Sequence, residues 1–147
     1  MEKINPEKYN KVSFPVVKAG ATCILEKDNK ILLGKRNINP EKGKWGLPGG
    51  HIDVGETAVE SIRREVKEET GLKIKNLNFL FYHDEFLPKL LAHNLALVFH
   101  GIPEGKEKIN SEVTEQKWFS TSEIKKINLS FEHGKMIDRY LKENGTK

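Results

Sequence analysis

Apolar residues occur along the chain in short runs separated by turn residues, a pattern typical of buried β-strands. The first run covers residues 14–26 and the second covers residues 31–34. The turn signal between them, at residues 27–30, predicts that they pair as a hairpin. Residues 83–93 contain charges and Pro88, and they are predicted to form an irregular loop. Further strands are predicted at residues 72–82, 95–99 and 116–119.

Residues 58–70 have the features of a helix with both ends marked. Thr57 and Glu60 have the spacing of an N-terminal capping box, and Gly71 is typical of a C-terminal cap. One side of this helix is predicted to be an apolar stripe formed by Ala58, Val59, Ile62 and Val66. Shorter helices are predicted at 123–126 and at 131–143. Alternating strands and helices indicate one α/β domain over residues 1–147, with a mixed sheet and a loosely ordered arm at 1–13.

Three carboxylates share one face of the predicted helix. Glu65, Glu68 and Glu69 have the spacing i, i+3 and i+4, at which like charges destabilise a helix by about 0.2–0.5 kcal/mol per pair. At 100° per residue these glutamates lie beside the apolar stripe rather than opposite it. We therefore expect them at the edge of the packed surface, where a bound cation would relieve their repulsion.

Composition narrows the cellular setting and the class of partner. With 37% hydrophobic and 31% charged residues, the chain fits a globular protein with a heavily charged surface. The net charge of +4 would suit an anionic partner, but Lys and Glu interleave without a single-sign run. We see neither a secretory signal nor an apolar run near the roughly 20 residues of a membrane helix. The single cysteine, Cys23, lies in an apolar run and is predicted to be buried and unreactive. We expect a cytoplasmic protein without a membrane partner.

Residues 50–72 resemble the Nudix box, G-x5-E-x7-R-E-U-x-E-E-x-G-U, in which U is a bulky aliphatic residue. The preceding W-G-L-P-G-G and the stretch from Glu112 to Ser120 are also similar to that family. The resemblance implies an α/β/α sandwich and hydrolysis of a nucleoside diphosphate linked to another group, X, with Mg²⁺ or Mn²⁺. Every fixed position of the motif is filled, by Gly50, Glu56, Arg64, Glu65, Val66, Glu68, Glu69, Gly71 and Leu72.

The resemblance also implies roles for individual residues. Arg64 would orient Glu65 or Glu56 through a charge-assisted hydrogen bond. Attack of water on a diphosphate meets charge repulsion, which divalent cations bound to phosphate oxygens reduce. Mg²⁺ prefers hard oxygen ligands. The implied metal-binding groups are the carbonyl of Gly49 and the carboxylates of Glu56, Glu65, Glu68 and Glu69.

The catalytic base and the phosphate contact remain open at this point. In some members of the family the base is a glutamate of the box, which here would be Glu65. In others it comes from a distant loop, for which Glu115 is the first candidate and Glu112 the second. Arg36, at the end of the second strand, is a candidate for contacting substrate phosphate, although an ordinary surface cation is an equal alternative.

Two substrate classes fit the motif. Nucleoside triphosphates, including oxidised ones, would give a monophosphate and pyrophosphate, whereas ADP-ribose would give two monophosphates. Pro88, 16 residues after Leu72, resembles a proline of the ADP-ribose subgroup. We expect a small nucleotide substrate, no nucleic-acid partner and a monomer or homodimer, with residues 83–93 determining specificity. The alternative is a catalytically inactive nucleotide- or nucleic-acid-binding module on the same fold.

Overall fold

A computed structural model describes residues 15–144 of the chain. The predicted arm at 1–13 lies outside these residues. None of the helices within this range is long and apolar enough to cross a membrane. In chain order the elements are β1 (Lys18–Lys27), β2 (Lys30–Arg36), β3 (Trp45–Gly46), β4 (Gly49–His51), α1 (Ala58–Thr70), β5 (Lys73–Leu87), β6 (Ala92–Glu104), β7 (Val113–Ser120), α2 (Thr121–Ile124) and α3 (His133–Glu143).

The sheet is mixed and is organised around β1. This strand runs parallel to β6 over eight residue pairs from Lys18↔Asn94 to Leu25↔Gly101, whereas the other pairings between two of these strands are antiparallel. The predicted hairpin of β1 and β2 is confirmed, but these strands are paired only at Glu26↔Ile31 and Lys27↔Lys30. Beyond that point they diverge, with β3 pairing with β2 and β4 pairing with β1. The divergence leaves a cleft in the middle of the molecule.

Helices cover both faces of the sheet, which confirms the α/β/α arrangement. On one face, Ile62 and Val66 of α1 pack with Cys23 of β1 in one buried cluster. On the other face, Met136 and Ile137 of α3 pack with a separate cluster that includes Ile24. Neighbouring residues of β1 therefore belong to different cores, as the period-2 geometry of a strand requires. Burial raises the pKa of the Cys23 thiol to about 12, and its predicted role as a buried apolar residue is confirmed.

The predicted ends of α1 are confirmed. The Thr57 hydroxyl accepts a hydrogen bond from the Glu60 amide, and Gly71 closes the helix in the left-handed conformation at φ 78°. The predicted apolar stripe is wrong at Val59, which is 44% exposed. The inward side instead includes Ser61 and Thr70. The hydroxyl of Thr70 donates to the carbonyl of Val66 at 2.6 Å, which satisfies it in the buried position.

The prediction of an irregular loop at residues 83–93 is wrong. Strand β5 continues to Leu87, a 3₁₀ turn covers Pro88–Leu90, and β6 begins at Ala92. The pairs Glu85↔Asn94 and Leu87↔Ala92 extend the hairpin to its tip. Ladder hydrogen bonds stabilise this polar stretch as a strand, and Pro88 falls in the turn, where its missing amide hydrogen costs nothing. Strand β7 is also longer than predicted, α2 begins at Thr121, and α3 begins at His133.

Candidate active site

Arg64 is the centre of an ion-pair network on α1 and on the loop before it. Its Nε and Nη2 atoms donate to the two carboxylate oxygens of Glu56 at 3.0 and 2.7 Å. Its Nη1 donates to Glu65 at 2.9 Å and to Glu68 at 3.2 Å. The two-point contact with Arg64 lowers the pKa of Glu56 to about 2. The predicted contacts of Arg64 with Glu56 and Glu65 are both present, while its orienting role in catalysis stays a prediction.

Glu69 is half-buried and lies apart from this network. Its Oε2 accepts a hydrogen bond from the amide of Gly49 at 2.8 Å. Burial raises the pKa of Glu69 to about 8, the Gly49 hydrogen bond opposes this, and the charges of Glu65 and Glu112 add to it. Without a cation, Glu69 therefore carries a proton over much of the neutral range. A bound cation would favour its charged form.

Two glycines bring the backbone of β4 close to α1 and β1. A side chain at Gly50 would place its Cβ 2.7 Å from the carboxylate carbon of Glu65. Gly49 has φ +155°, and a Cβ there would collide with the carbonyl oxygen of Ala21. Burial raises the pKa of Glu65, while Arg64 opposes the shift. The Gly-Gly doublet thus allows a partly desolvated carboxylate to lie directly against the turn.

The chemistry of these groups fits a hard divalent cation. The donors are oxygens, and two of the carboxylates have pKa values raised by burial and mutual repulsion. Over residues 15–144, no three His, Cys, Asp or Glu side chains converge into a metal-holding group. The carboxylates are instead directed to other partners, because Glu65 and Glu68 accept hydrogen bonds from Arg64 and Glu69 accepts one from the amide of Gly49. The predicted ligand roles of Gly49, Glu56, Glu65, Glu68 and Glu69 stay predictions.

The cleft between the diverging strands has a volume of about 290 Å³. Glu69 and Gly49 line it where it meets α1, and Glu85 of β5 lines it as well. The first turn of α3 contributes His133, whose Nδ1 accepts a hydrogen bond from the Leu47 amide at 3.0 Å. The cleft therefore connects the carboxylates of the box with side chains from the opposite layer of the fold.

Arg36 lies in the wall of this cleft and is half-buried. Its Nε donates to the carbonyl of Pro40 at 2.9 Å, and its guanidinium lies 4.8 Å from the ring centre of Phe131. Burial lowers the pKa of Arg36, while Glu69 and Glu112 act in the opposite direction. A fixed cation close to the acidic groups is suitably placed for a phosphate. Contact with substrate stays a prediction.

The structure separates the two distal candidates for the catalytic base. Glu112 lines the cleft, and its charge raises the pKa values of Glu65 and Glu69. Glu115 is exposed on β7, opposite Lys35, and does not belong to the cleft wall. Of the pair, Glu112 is therefore the residue near the α1 carboxylates.

Several residues of the cleft had no counterpart in the sequence prediction. Burial lowers the pKa of His133 to about 4, so its ring is neutral at pH 7 and, with Nδ1 accepting, carries its proton on Nε2. Among the described residues, the hydroxyl of Ser130 and the amide oxygen of Gln116 are buried without a hydrogen-bond partner, and both residues line the cleft. Glu85 is 6% exposed. The sequence shows Glu85 and Asn94 only as polar residues near Pro88, and Glu85 lies in the segment predicted to be a loop, so their pairing across a hairpin was not predicted.

Comparisons with known proteins agree with this geometry. The NUDIX domain model matches residues 15–140. An ADP-ribose pyrophosphatase from Methanocaldococcus jannaschii is 38% identical over 149 residues, covering 99% of this chain and 85% of the relative. An RNA pyrophosphohydrolase from Pelagibacter ubique is 34% identical over 111 residues, covering 75% of this chain and 63% of the relative. The crystal structure of a MutT NUDIX hydrolase from Burkholderia pseudomallei has a TM-score of 0.74 at 26% identity, with 84% and 95% of the two chains covered.

Proposed function

Because the chain belongs to the Nudix family, we propose that it is a metal-dependent pyrophosphohydrolase that cleaves ADP-ribose or a closely related nucleoside diphosphate sugar. The observation that carries the proposal is the presence of two sets of carboxylates at the α1 end of the cleft. Arg64 binds Glu56 and Glu65 in the first set, and Glu69, which accepts a hydrogen bond from Gly49, forms the second. The similarity to an ADP-ribose pyrophosphatase over 99% of the chain supports the choice of substrate.

The reaction would add water to one phosphorus of the diphosphate and release the other phosphate as the leaving group. ADP-ribose would thereby give AMP and ribose 5-phosphate. A divalent cation bound by Glu56, Glu65, Glu68, Glu69 and the Gly49 carbonyl would neutralise phosphate charge and favour the deprotonated form of the attacking water.

The chain's own groups would hold the substrate and move the proton. Arg36 would contact a phosphate oxygen, because it is the cation in the cleft wall nearest to the acidic groups. Glu65 is a candidate to accept the proton of the attacking water, since burial raises its pKa and makes it a stronger base. Glu112 is the second candidate, because it lines the same part of the cleft. Arg64 would fix the orientation of Glu65 without contacting substrate.

A substrate panel tests the proposal. The protein is incubated with Mg²⁺ and ADP-ribose, ADP-glucose, ATP or 8-oxo-dGTP, and the products are separated by chromatography. We expect ADP-ribose to be converted to AMP and ribose 5-phosphate, with no turnover when Mg²⁺ is chelated. Glu69→Gln serves as the matched inactive control.

The same panel separates the alternatives. Turnover of the triphosphates with release of pyrophosphate, and none of ADP-ribose, would contradict the substrate assignment and keep the enzyme class. Binding of ADP-ribose together with Mg²⁺ but without any hydrolysis would instead indicate a nucleotide-binding module and refute the hydrolase proposal.

A further inference from the structure

The cleft contains a buried carboxylate that the proposed chemistry does not use. Glu85 of β5 is 6% exposed and lines the cleft. Its Oε1 accepts a hydrogen bond from the Asn94 side-chain amide at 3.0 Å, and its Oε2 accepts one from the backbone amide of Glu132 at 3.3 Å. A carboxylate offers about four acceptor positions. Two hydrogen bonds therefore fix the orientation of Glu85 and leave it capacity for two further donors.

The neighbours of Glu85 form an ordered polar chain along the cleft. The side-chain oxygen of Asn94 lies 3.3 Å from Nε2 of His51, while its side-chain nitrogen donates to Glu85. Both polar atoms of the Asn94 amide therefore have a partner. His51 and Asn94 also line the cleft. Charged side chains are rarely buried this deeply unless they are paired or bind a ligand, because desolvation is costly. Glu85 is held by neutral donors rather than by a cation, which is the arrangement of a site that receives hydroxyl groups.

This part of the cleft is unsuited to phosphate. Among the described residues, Arg36 is the one Lys or Arg side chain in the cleft wall, and the carboxylates that raise its pKa are Glu69, Glu112 and Glu41. Of these carboxylates Glu69 belongs to α1, and Glu85 is not among them. Glu85 would repel a phosphate, whereas two adjacent hydroxyl groups can donate to its two oxygens at once.

We propose that Glu85 and Asn94 form a subsite that binds the vicinal hydroxyl groups of a ribose, and that they select ribonucleotide substrates such as ADP-ribose over deoxynucleotides. This inference rests on the proposed function. A deoxyribose lacks one of the two donors and would leave one acceptor position of the desolvated carboxylate unfilled. Sites reject an analogue without a hydroxyl group through such missing hydrogen bonds. ADP-ribose contains two riboses, and the experiment below distinguishes them.

The test is calorimetric titration of the metal-free, full-length protein with ADP-ribose, AMP and 2′-deoxy-AMP. Glu85→Gln should weaken ADP-ribose binding about tenfold, because it removes one charged acceptor. If the subsite binds the ribose of adenosine, the wild type prefers AMP to 2′-deoxy-AMP about tenfold and the variant loses that preference. If the subsite binds the terminal ribose, the wild type binds both monophosphates equally and the variant weakens ADP-ribose alone.

Two variants control for structural effects. Asp84→Asn makes the same charge change one residue away, at an exposed position on the opposite face of β5, and should leave all three affinities unchanged. Asn94→Ala keeps the carboxylate but removes the amide that orients it, and should reproduce the pattern with a smaller loss. It also provides the test if Glu85→Gln fails to fold. Equal weakening of all three ligands, or ADP-ribose affinity within twofold of the wild type, would overturn the assignment.

Hydrolysis measured on the same preparation separates this inference from the proposed function. Turnover of ADP-ribose with an unchanged affinity pattern in Glu85→Gln would refute only the subsite. Binding that depends on Glu85, without turnover in Mg²⁺, would refute the hydrolase and retain the subsite. A wild type that binds none of the three ligands and does not hydrolyse ADP-ribose in Mg²⁺ would refute both.

Discussion

Replacing Glu69 with glutamine should stabilise the metal-free protein at neutral pH. Burial raises the pKa of Glu69 from 4.5 to about 8, so between these values the folded chain holds a proton that the unfolded chain has released. Stability therefore falls as pH rises from 4.5 to 8, and the whole penalty is present above pH 8. Glutamine does not ionise, and its amide oxygen can still accept the hydrogen bond from Gly49.

The size of the effect follows from the pKa difference. A tenfold change in proton concentration corresponds to about 1.4 kcal/mol for one such group, so the penalty at pH 7 reaches about 3 kcal/mol. For a domain of about 150 residues, 1 kcal/mol corresponds to about 2–4 °C in Tm. We expect Glu69→Gln to melt about 6–12 °C above the wild type at pH 7 and at nearly the same temperature at pH 4.5.

The assay is thermal unfolding in the presence of a chelator at a series of pH values from 4.5 to 8.5. Glu68→Gln is the matched control, because the Glu68 side chain is 54% exposed and should change stability by less than about 1 kcal/mol. Mg²⁺ should stabilise the wild type more than Glu69→Gln. A Tm difference that does not grow with pH, or a Glu69→Gln variant that is less stable at pH 8, would refute the reasoning.

Four further substitutions test other contacts of the site. Arg64→Lys keeps the charge but loses the two-point contact with Glu56. It should lower the free energy of unfolding, measured by chemical denaturation, by about 1–3 kcal/mol and lower kcat at least tenfold. Wild-type values of both quantities would contradict the orienting role. Glu112→Gln should reduce kcat about tenfold to a thousandfold and Glu115→Gln less than twofold in steady-state assays, and the reverse order would place the distal base on β7. Gly50→Ala should reduce kcat about tenfold with little change in KM, because the added methyl group displaces the adjacent α1 carboxylate; unchanged kcat would show that this carboxylate tolerates displacement.

Local sequence signals were sufficient for the chemistry-bearing segment. The cap residues Thr57 and Gly71 defined α1, and the motif predicted the contact of Arg64 with Glu65. These relations are local, because they join residues that are close together along the chain. The apolar stripe failed at Val59 because tertiary packing, rather than periodicity, decides which edge of a helix is covered.

The other wall of the cleft could not be derived from local pattern. Asn94 and Glu85 meet across a hairpin, and Glu85 then contacts the backbone of Glu132, which is 47 residues away in sequence. Polar residues in 83–93 read as a loop because the alternation of a strand is hidden when its inward side chains are polar and hydrogen-bonded. His133 reads as an ordinary helix residue, and its role depends on the Leu47 amide 86 positions earlier.

The network around Arg64 has a consequence for how the protein exists before it binds metal. The guanidinium acts as an internal counter-ion shared by Glu56, Glu65 and Glu68, so part of the negative charge of the acidic turn is balanced without an external cation. A metal ion that binds at this turn, as proposed, would compete with an arginine already in place. Such an exchange would lower the apparent metal affinity and leave the polypeptide folded when the metal is removed. Metal removal would then stop the proposed catalysis without unfolding the chain.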